Sequence, residues 1–217
     1  MAKLTGPLLS IGARGAIGKT LVAAEWRGVK YMRQYVIPAN PNTTAQQVVR
    51  DIFRTLNSAW LISPALTQAP FAANAVGKKY TDRNKYVSEN LPAVRGETDM
   101  QNFIGSPGAL GGPPLEGVAA VAGGLSGEID VTVTNPTVPT GWTLASVTAM
   151  AFPDQDPEVA FGGPIIAGED LTDPYAITLA GLPAATLCVV SAWPVWTRPD
   201  GKTAYGPSLV TTATSTA

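Results

Sequence analysis

The segment with the most distinctive chemistry is rich in glycine and ends in Gly18-Lys19-Thr20, as a phosphate-binding loop does. Such a loop holds phosphates with its backbone N–H groups, and it needs a glycine five positions before the second one. That position is Ala13 here, and Gly12 lies one position too early. The residues that follow, 21–26, favour a strand where the loop requires a helix. We therefore expect a glycine-rich basic arm and no nucleotide hydrolysis.

The residue types on which many enzymes and metal sites depend are nearly absent. The 217 residues include no histidine and one cysteine, Cys188, which lies in an apolar run. Without these residues the chain cannot build a Ser/His or Cys/His catalytic pair or a zinc site of the usual ligands. A single cysteine also excludes a disulfide within the chain, and its apolar neighbours favour a buried thiol. We predict no catalytic residues, no metal site and no cofactor.

Two groups of carboxylates raise the possibility of a calcium site, because hard cations prefer oxygen ligands. They are Asp154, Asp156 and Glu158, and then Glu169, Asp170 and Asp173. The first group lacks the glycine and the later bidentate glutamate of an EF-hand loop. The pattern favours solvated loops.

A third pattern interleaves basic and aromatic side chains near the N-terminus. Its members are Arg14, Lys19, Trp26, Arg27, Lys30, Tyr31, Arg33 and Tyr35. Such a surface can follow a phosphate backbone and stack on bases. It can equally bind an acidic protein surface, with the aromatic residues anchoring a strand. Because the chain as a whole has no excess of positive charge, we favour a protein partner and keep DNA as the alternative.

The elements that position these residues fall into three segments. Residues 1–42 predict a basic, glycine-rich arm followed by a strand or hairpin around residues 26–28, because residues 29–37 alternate with a period of two. Residues 43–104 predict a small helical docking domain. Its first helix has apolar residues at helical spacing, with Arg50 and Arg54 on the other face. Further helices are expected near residues 67–71 and 81–90.

The C-terminal part is separated from these helices by a stretch rich in glycine and proline. Residues 105–117 hold eight Gly or Pro, which predicts a linker and a domain boundary. Residues 118–217 then predict short strands with turns between them, an immunoglobulin-like or fibronectin-like β-sandwich. The fold class predicted for the whole chain is therefore α+β. Trp142, Trp193 and Trp196 are expected to pack in or beside the core.

The charge of the chain is divided between two halves. Residues 1–114 hold 13 Lys/Arg and 6 Asp/Glu, whereas residues 115–217 hold 2 and 10, so the halves carry +7 and −8 and the total is −1. A dipolar chain of this kind is suited to docking by its basic end on a negatively charged surface. This pattern predicts an interaction protein rather than an enzyme. We expect no membrane association, because no apolar run of about 18 residues occurs.

The order of motifs in residues 10–95 resembles that of small structural proteins of tailed-bacteriophage virions. The motifs are the Ala13-Arg-Gly-Ala-Ile-Gly-Lys19 arm, the segment Trp26 to Arg33, the segment Pro38 to Thr43 that opens a helix with Gln46 and Gln47, and the run Tyr80 to Val87 followed by Asn90-Leu91. Proteins of this kind often carry a C-terminal Ig-like domain, and the segment from Leu115 is similar to one.

The resemblance implies a non-enzymatic capsid decoration or cement protein, made in the host cytoplasm and carried in the virion. Its basic half would dock on the major capsid protein or another virion protein, its acidic Ig-like domain would project, and it would form a homo-oligomer. The candidate docking residues are Arg14, Lys19, Trp26, Arg27, Lys30, Tyr31, Arg33, Arg50 and Arg54. The alternatives are a tail, neck or adaptor component of the virion, or a DNA-binding protein that uses the basic arm.

Overall fold

The computed structural model describes residues 2–3, 15–26, 29–37 and 39–217; at residues 2, 3, 26 and 29 only the backbone is described. The chain divides into two compact units, residues 1–43 and residues 44–217. It mixes helices and strands, as the sequence predicts. The sequence divides the chain at two places: between residues 42 and 43, one residue from this division, and at 105–117, which lies inside the second unit.

The first unit contains four short strands in one antiparallel sheet. They are β1 (Ala2–Lys3), β2 (Gly15–Ile17), β3 (Leu21–Trp26) and β4 (Val29–Gln34). Their order in the sheet is β1-β4-β3-β2. The strands β3 and β4 pair from Trp26 opposite Val29 to Leu21 opposite Gln34, which is the hairpin that the alternation predicts.

The second unit begins with three helices that the apolar spacing largely predicts. They are α1 (Thr44–Ile62), α2 (Ala65–Ala75) and α3 (Asp82–Val94). The side chain of Thr81 caps α3 by accepting a hydrogen bond from the Asn84 N–H. Pro64 precedes α2, and Gly77 follows it with a positive φ of 71°. Local sequence signals thus mark where these helices begin and end.

The remaining strands form two antiparallel sheets. They are β5 (Pro107–Ala109), β6 (Gly117–Ala122), β7 (Glu128–Thr134), β8 (Thr143–Pro153), β9 (Ile166–Asp170), β10 (Ala176–Ala180), β11 (Leu187–Thr197), β12 (Thr203–Pro207) and β13 (Leu209–Thr214). One sheet has the order β10-β7-β6, and the other has the order β5-β12-β11-β8-β9, with β13 also paired to β11. The two sheets pack face to face around a shared core, which is a β-sandwich arrangement.

The six-stranded sheet is the middle layer of the unit, between the helices and the three-stranded sheet. On β11, Val190 and Ala192 contribute to the core shared with the small sheet. Val189 and Trp193 contribute to the core shared with the helices. Strands that are buried on both faces have continuous apolar sequences. For this reason polar and apolar residues do not alternate in residues 187–196.

An array of aromatic rings crosses the layer between helices and sheet. Its members are Trp60, Phe71, Tyr86, Phe103, Phe152 and Phe161, with neighbouring ring centroids 5.0 to 6.0 Å apart. Fully burying a large apolar side chain contributes about 1.5–3 kcal/mol. The helices therefore share one core with the sheet and do not form the separate helical domain that the sequence predicts.

The predicted linker is part of this packed unit. Residues 107–109 form β5, which pairs with β12, and Ser106 is buried. A Cβ added at Gly105 would lie 2.4 Å from Ser191 Oγ, and one at Gly112 would lie 2.5 Å from the Tyr205 carbonyl carbon. These glycines allow close approach of the backbone to the sheet, which is a packing role rather than a flexible one.

The tryptophans lie as the sequence predicts. Trp193 and Trp196 are fully buried, and the Trp196 Nε1–H donates to the Pro113 carbonyl at 3.0 Å. Trp142 is half-buried and packs edge-on against Trp196. In the hairpin between β11 and β12, Gly201 has a φ of 76°, and it is the one residue of 198–202 with a positive φ. The Arg198 N–H donates to the Lys202 carbonyl at 3.0 Å, so residues 199–201 form the turn.

Candidate functional site

The glycine-rich segment that ends in Gly18-Lys19-Thr20 forms a turn between two antiparallel strands. Thr20 closes the turn, since both its N–H and its hydroxyl donate to the Ile17 carbonyl. Lys19 is exposed at the tip. A strand, β3, follows the turn. The helix whose N-terminus would hold a phosphate is therefore missing, and the described part of the segment has the wrong geometry for a phosphate loop.

The register of β3 and β4 distributes the predicted docking residues over both faces of the sheet. Lys30 lies opposite Glu25, whereas Arg33 lies opposite Val22. Residues directly opposite each other share a face, and successive residues alternate between faces. Tyr31 and Arg33 therefore share one face, and Lys30 belongs to the other. Arg14 and Arg27 lie outside the described residues, as does the side chain of Trp26.

The first unit buries very little of its own surface. Of the side chains described between residues 15 and 43, Ala23 alone is buried, with 3% exposure. Ile17 and Leu21 are exposed, and Val36 and Ile37 expose 66% and 77%. The sequence of this unit holds six Lys/Arg and one Asp/Glu, a net charge of +5. The described residues thus form a small sheet in a cationic unit, with Ile17, Leu21, Val36 and Ile37 exposed and the other described large apolar side chains half-buried.

The other two predicted docking residues lie on a different surface, the outward side of α1. Arg50 and Arg54 line a groove of about 470 Å³ with residues of α1 and α3. We call this the arginine groove; it is lined by Val49, Arg50, Phe53, Arg54, Asn57 and Arg83. It combines three guanidinium groups with an apolar floor. That combination fits a ligand with carboxylates around an apolar side chain.

Hydrogen bonds fix part of this groove. The Arg83 Nε–H donates to Asn57 Oδ1 at 2.6 Å, which joins α3 to α1. Arg54 forms an ion pair with Asp51 at 2.5 Å. Asn57 also donates to the Phe53 carbonyl at 2.5 Å. The groove is therefore partly pre-organised before any ligand arrives.

Of the six residues that line the arginine groove, the sequence predicts a docking role for Arg50 and Arg54 only. Phe53 is one of the apolar residues at helical spacing on α1, which are expected to face inward, but its side chain exposes 51% of its surface. Phe53 lies at the edge of the apolar stripe, and periodicity alone cannot separate an edge from a centre. Arg83 was not assigned a role because α3 and α1 are brought together only by the tertiary fold.

Several acidic residues accept hydrogen bonds, some of them from groups far along the chain. Asp154 accepts from the Met100 N–H at 2.9 Å and from Gln101 Nε2 at 3.1 Å. Asp156 accepts from the Glu158 N–H at 2.8 Å. Within the described part of the chain no group of three or more carboxylate or thiol side chains is placed to hold a metal ion. Asp154, Asp156 and Glu158 lie in the loop after β8, as the sequence predicts, whereas Glu169 and Asp170 lie on the strand β9 and not in a loop.

Cys188 is unsuited to nucleophilic chemistry. It is fully buried on β11. Burial, with a smaller contribution from the charge of Asp154, raises the pKa of its thiol to about 11. The thiol is therefore protonated at neutral pH, and the thiolate is the reactive form.

No protein-family model matches the chain, and no curated protein matches its sequence. Several solved structures share local similarity with it. A computationally redesigned β-sandwich protein is 16% identical, with a TM-score of 0.34, over 48% of this chain and 90% of that one. The chicken CNTN1 FN1–FN3 domains are 18% identical, with a TM-score of 0.35, over 49% of this chain and 32% of that one. A family 76 glycoside hydrolase from a bovine Bacteroides thetaiotaomicron strain is 13% identical, with a TM-score of 0.33, over 48% and 20%.

These similarities are too low to carry an argument about fold or activity. The site must therefore be interpreted from its own geometry. Of the helices that the structure describes, none has both the length and the apolar character needed to cross a bilayer.

Proposed function

We propose that this chain is a non-enzymatic structural protein of a tailed-phage virion. It docks through residues 1–43 on the capsid lattice as a decoration or cement protein, and it carries the acidic sandwich as an Ig-like or fibronectin-like domain. The observation that carries the proposal is the cationic sheet of the first unit, which buries one described side chain between residues 15 and 43.

Such a sheet needs a partner for stability. Ordering the backbone costs about 1–2 kcal/mol per residue, and apolar burial must offset that cost. A small sheet becomes stable when one face packs on other apolar surface. The exposed Ile17 and Leu21 supply apolar surface that a partner can cover. The charge of +5 makes that partner acidic.

The arrangement of the charges favours a protein over DNA. A DNA-binding sheet would gather its cations on one face, but Lys30 and Arg33 belong to opposite faces and Lys30 lies opposite Glu25. The face that carries Arg33 also carries the half-buried Tyr31 and Val22. Mixed apolar and cationic surface of this kind is typical of a protein interface, in which aromatic residues and arginine are enriched.

The test uses the full chain and particles of the encoding phage that lack it. Binding is measured by co-sedimentation with purified heads. We expect Arg33→Glu to weaken binding by about tenfold or more, because it reverses a charge on the face that also carries Tyr31 and Val22. Lys202→Glu is the matched control, since it makes the same charge change on an exposed side chain of the sandwich, and it should bind like the wild type.

Two results would contradict the proposal. One is wild-type protein that does not bind heads. The other is tight binding to duplex DNA that falls about 10³–10⁵-fold between about 50 and 200 mM salt, which would identify phosphate as the partner.

A further inference from the structure

The second unit carries a surface that complements the arginine groove. The turn after β9 presents Leu171, which exposes 70% of its surface. Glu169, Asp170 and Asp173 lie within two residues of it along the chain. We call residues 169–173 the acidic turn. It is an apolar tip with three neighbouring carboxylates.

Hydrogen bonds hold the acidic turn in one conformation. Asp170 Oδ1 accepts from the Thr172 N–H and hydroxyl, both at 3.0 Å, and its Oδ2 accepts from the Ala176 N–H at 2.9 Å. Asn135 donates to Asp173 Oδ1 at 2.8 Å. A turn that is already ordered loses little entropy when it binds.

The Asp170 carboxylate is charged at neutral pH. The hydrogen bonds from Ala176 and Thr172 hold the pKa of Asp170 below its usual range. Burial raises the pKa of the neighbouring Tyr175, and the charges of Asp173 and Asp170 raise it further. The turn is therefore a site of negative potential next to an exposed leucine.

We propose that the acidic turn of one copy docks in the arginine groove of a second copy of this chain. Leu171 packs on Phe53, and Asp170 and Asp173 face the guanidinium groups of the groove. Glu169 points to the other face of β9, where it accepts a hydrogen bond from Ser146 Oγ. The two surfaces are opposite in net charge, although Asp51 offsets the charge of Arg54, and each presents an exposed apolar side chain. The six residues that line the groove all belong to α1 and α3. The groove is therefore not occupied by the turn of its own chain, and Leu171 is exposed.

The contact joins two different surfaces, so it is heterologous. Each copy offers one turn and one groove, and repetition of the contact closes a ring or extends a chain. One turn in one groove covers much less than the roughly 800 Å² per partner of a standard interface, so the contact is weak in solution. Copies held side by side on a lattice would have a high effective concentration, at which a weak contact suffices.

The test is complementation between two variants of the full chain. Leu171→Asp removes the apolar tip, and Arg83→Glu reverses a charge in the groove. We expect the wild type to self-associate in sedimentation velocity at low salt, at chain concentrations up to about 1 mM. Each variant alone should associate at least about tenfold more weakly. An equimolar mixture of the two should form heterodimers and nothing larger, because one intact turn and one intact groove remain.

Matched controls keep the result specific. Leu125→Asp changes a sandwich leucine with 69% exposure, and Lys79→Glu reverses an exposed charge between α2 and α3. Both should associate like the wild type, and thermal unfolding should show that all four variants are folded. A monomeric wild type, variants that associate normally, or a mixture without heterodimers would each overturn the proposal. The proposal would also be overturned if the control variants associated as weakly as Leu171→Asp and Arg83→Glu.

This inference goes beyond the proposed function and does not depend on it. Purified protein alone tests the contact between copies, whereas binding to heads tests the docking of residues 1–43. A negative result in one of these two experiments does not contradict the proposal that the other experiment tests. An acidic peptide that bound the arginine groove while the chain stayed monomeric would overturn the self-contact and assign the groove to a foreign partner.

Discussion

Gly105 sets how closely the segment after α3 approaches the central sheet. A Cβ added at Gly105 would lie 2.4 Å from Ser191 Oγ and 2.8 Å from Trp193 Cζ3. Ser191 and Trp193 are both fully buried, so neither can move into solvent to make room. The glycine is therefore required by packing, and the helices and the sheet remain in contact because of it.

Gly105→Ala should consequently destabilise the second unit. Overpacking a core costs about 1–3 kcal/mol, which lowers the melting temperature of a chain of this size by about 2–12 °C. Differential scanning calorimetry measures the change. Gly124→Ala is the matched control, because a Cβ at this position would have no atom within 4 Å. Both substitutions lower the conformational entropy of the unfolded chain in the same way. Equal melting temperatures for the two variants would show that residues 105–117 are a linker after all.

At the residue scale the sequence indicates which residue types are present, but not which residues contact each other in the fold. A sequence rich in glycine and proline occurs both in flexible linkers and in segments that pack closely on a sheet, so composition does not distinguish the two. What separates the two here is contact with Ser191 and Tyr205, far along the chain. The arginine groove shows the same limit, since Arg50 and Arg54 are recognisable on one helix but Arg83 joins them only through the fold.

At the scale of elements, the helices and the long strands follow from local patterns. Caps, prolines and apolar spacing marked α1, α2 and α3 closely, because these signals act within a few residues. The strands β5, β6 and β9 have no clear strand pattern in the sequence. They consist largely of Gly, Ala and Pro or are very short, and such residues form strands when a neighbouring strand offers hydrogen bonds. Their existence is thus a property of the sheet rather than of the segment.

The strands of the first unit should be the least protected in the free protein. β3 and β4 bury Ala23 and little else among the described side chains, whereas β8 and β11 lie covered in the middle layer. Amide hydrogen exchange of the full chain should therefore be at least about tenfold faster in β3 and β4 than in β8 and β11.

Binding to heads should slow exchange in β3 and β4 and leave β8 and β11 unchanged. This contrast serves as an internal control, because both pairs of strands are measured in one sample. Strong protection of β3 and β4 in the free chain would mean that the first unit is stable alone. In that case it would need no covering partner.

At the scale of the whole molecule, charge and structure divide the chain at different places. The sign of the charge changes near residue 115, but the compact units meet at residues 43 and 44. Residues 1–43 carry +5 and residues 44–217 carry −6. The cationic arginine groove therefore belongs to a unit that is acidic overall. The two proposed contacts therefore belong to different units, the docking on a capsid lattice to residues 1–43 and the contact with a second copy to residues 44–217.

The most direct test of the proposed function is the number of copies of this chain in each particle. Quantitative mass spectrometry of purified virions from the encoding phage, measured relative to the major capsid protein, gives this number. A decoration protein should be present in hundreds of copies, and a particle treated with nuclease should retain all of them. About a dozen copies would move the chain to a neck ring and a few copies to a tip, which contradicts docking on the capsid lattice. Its absence from purified virions would contradict the virion role itself.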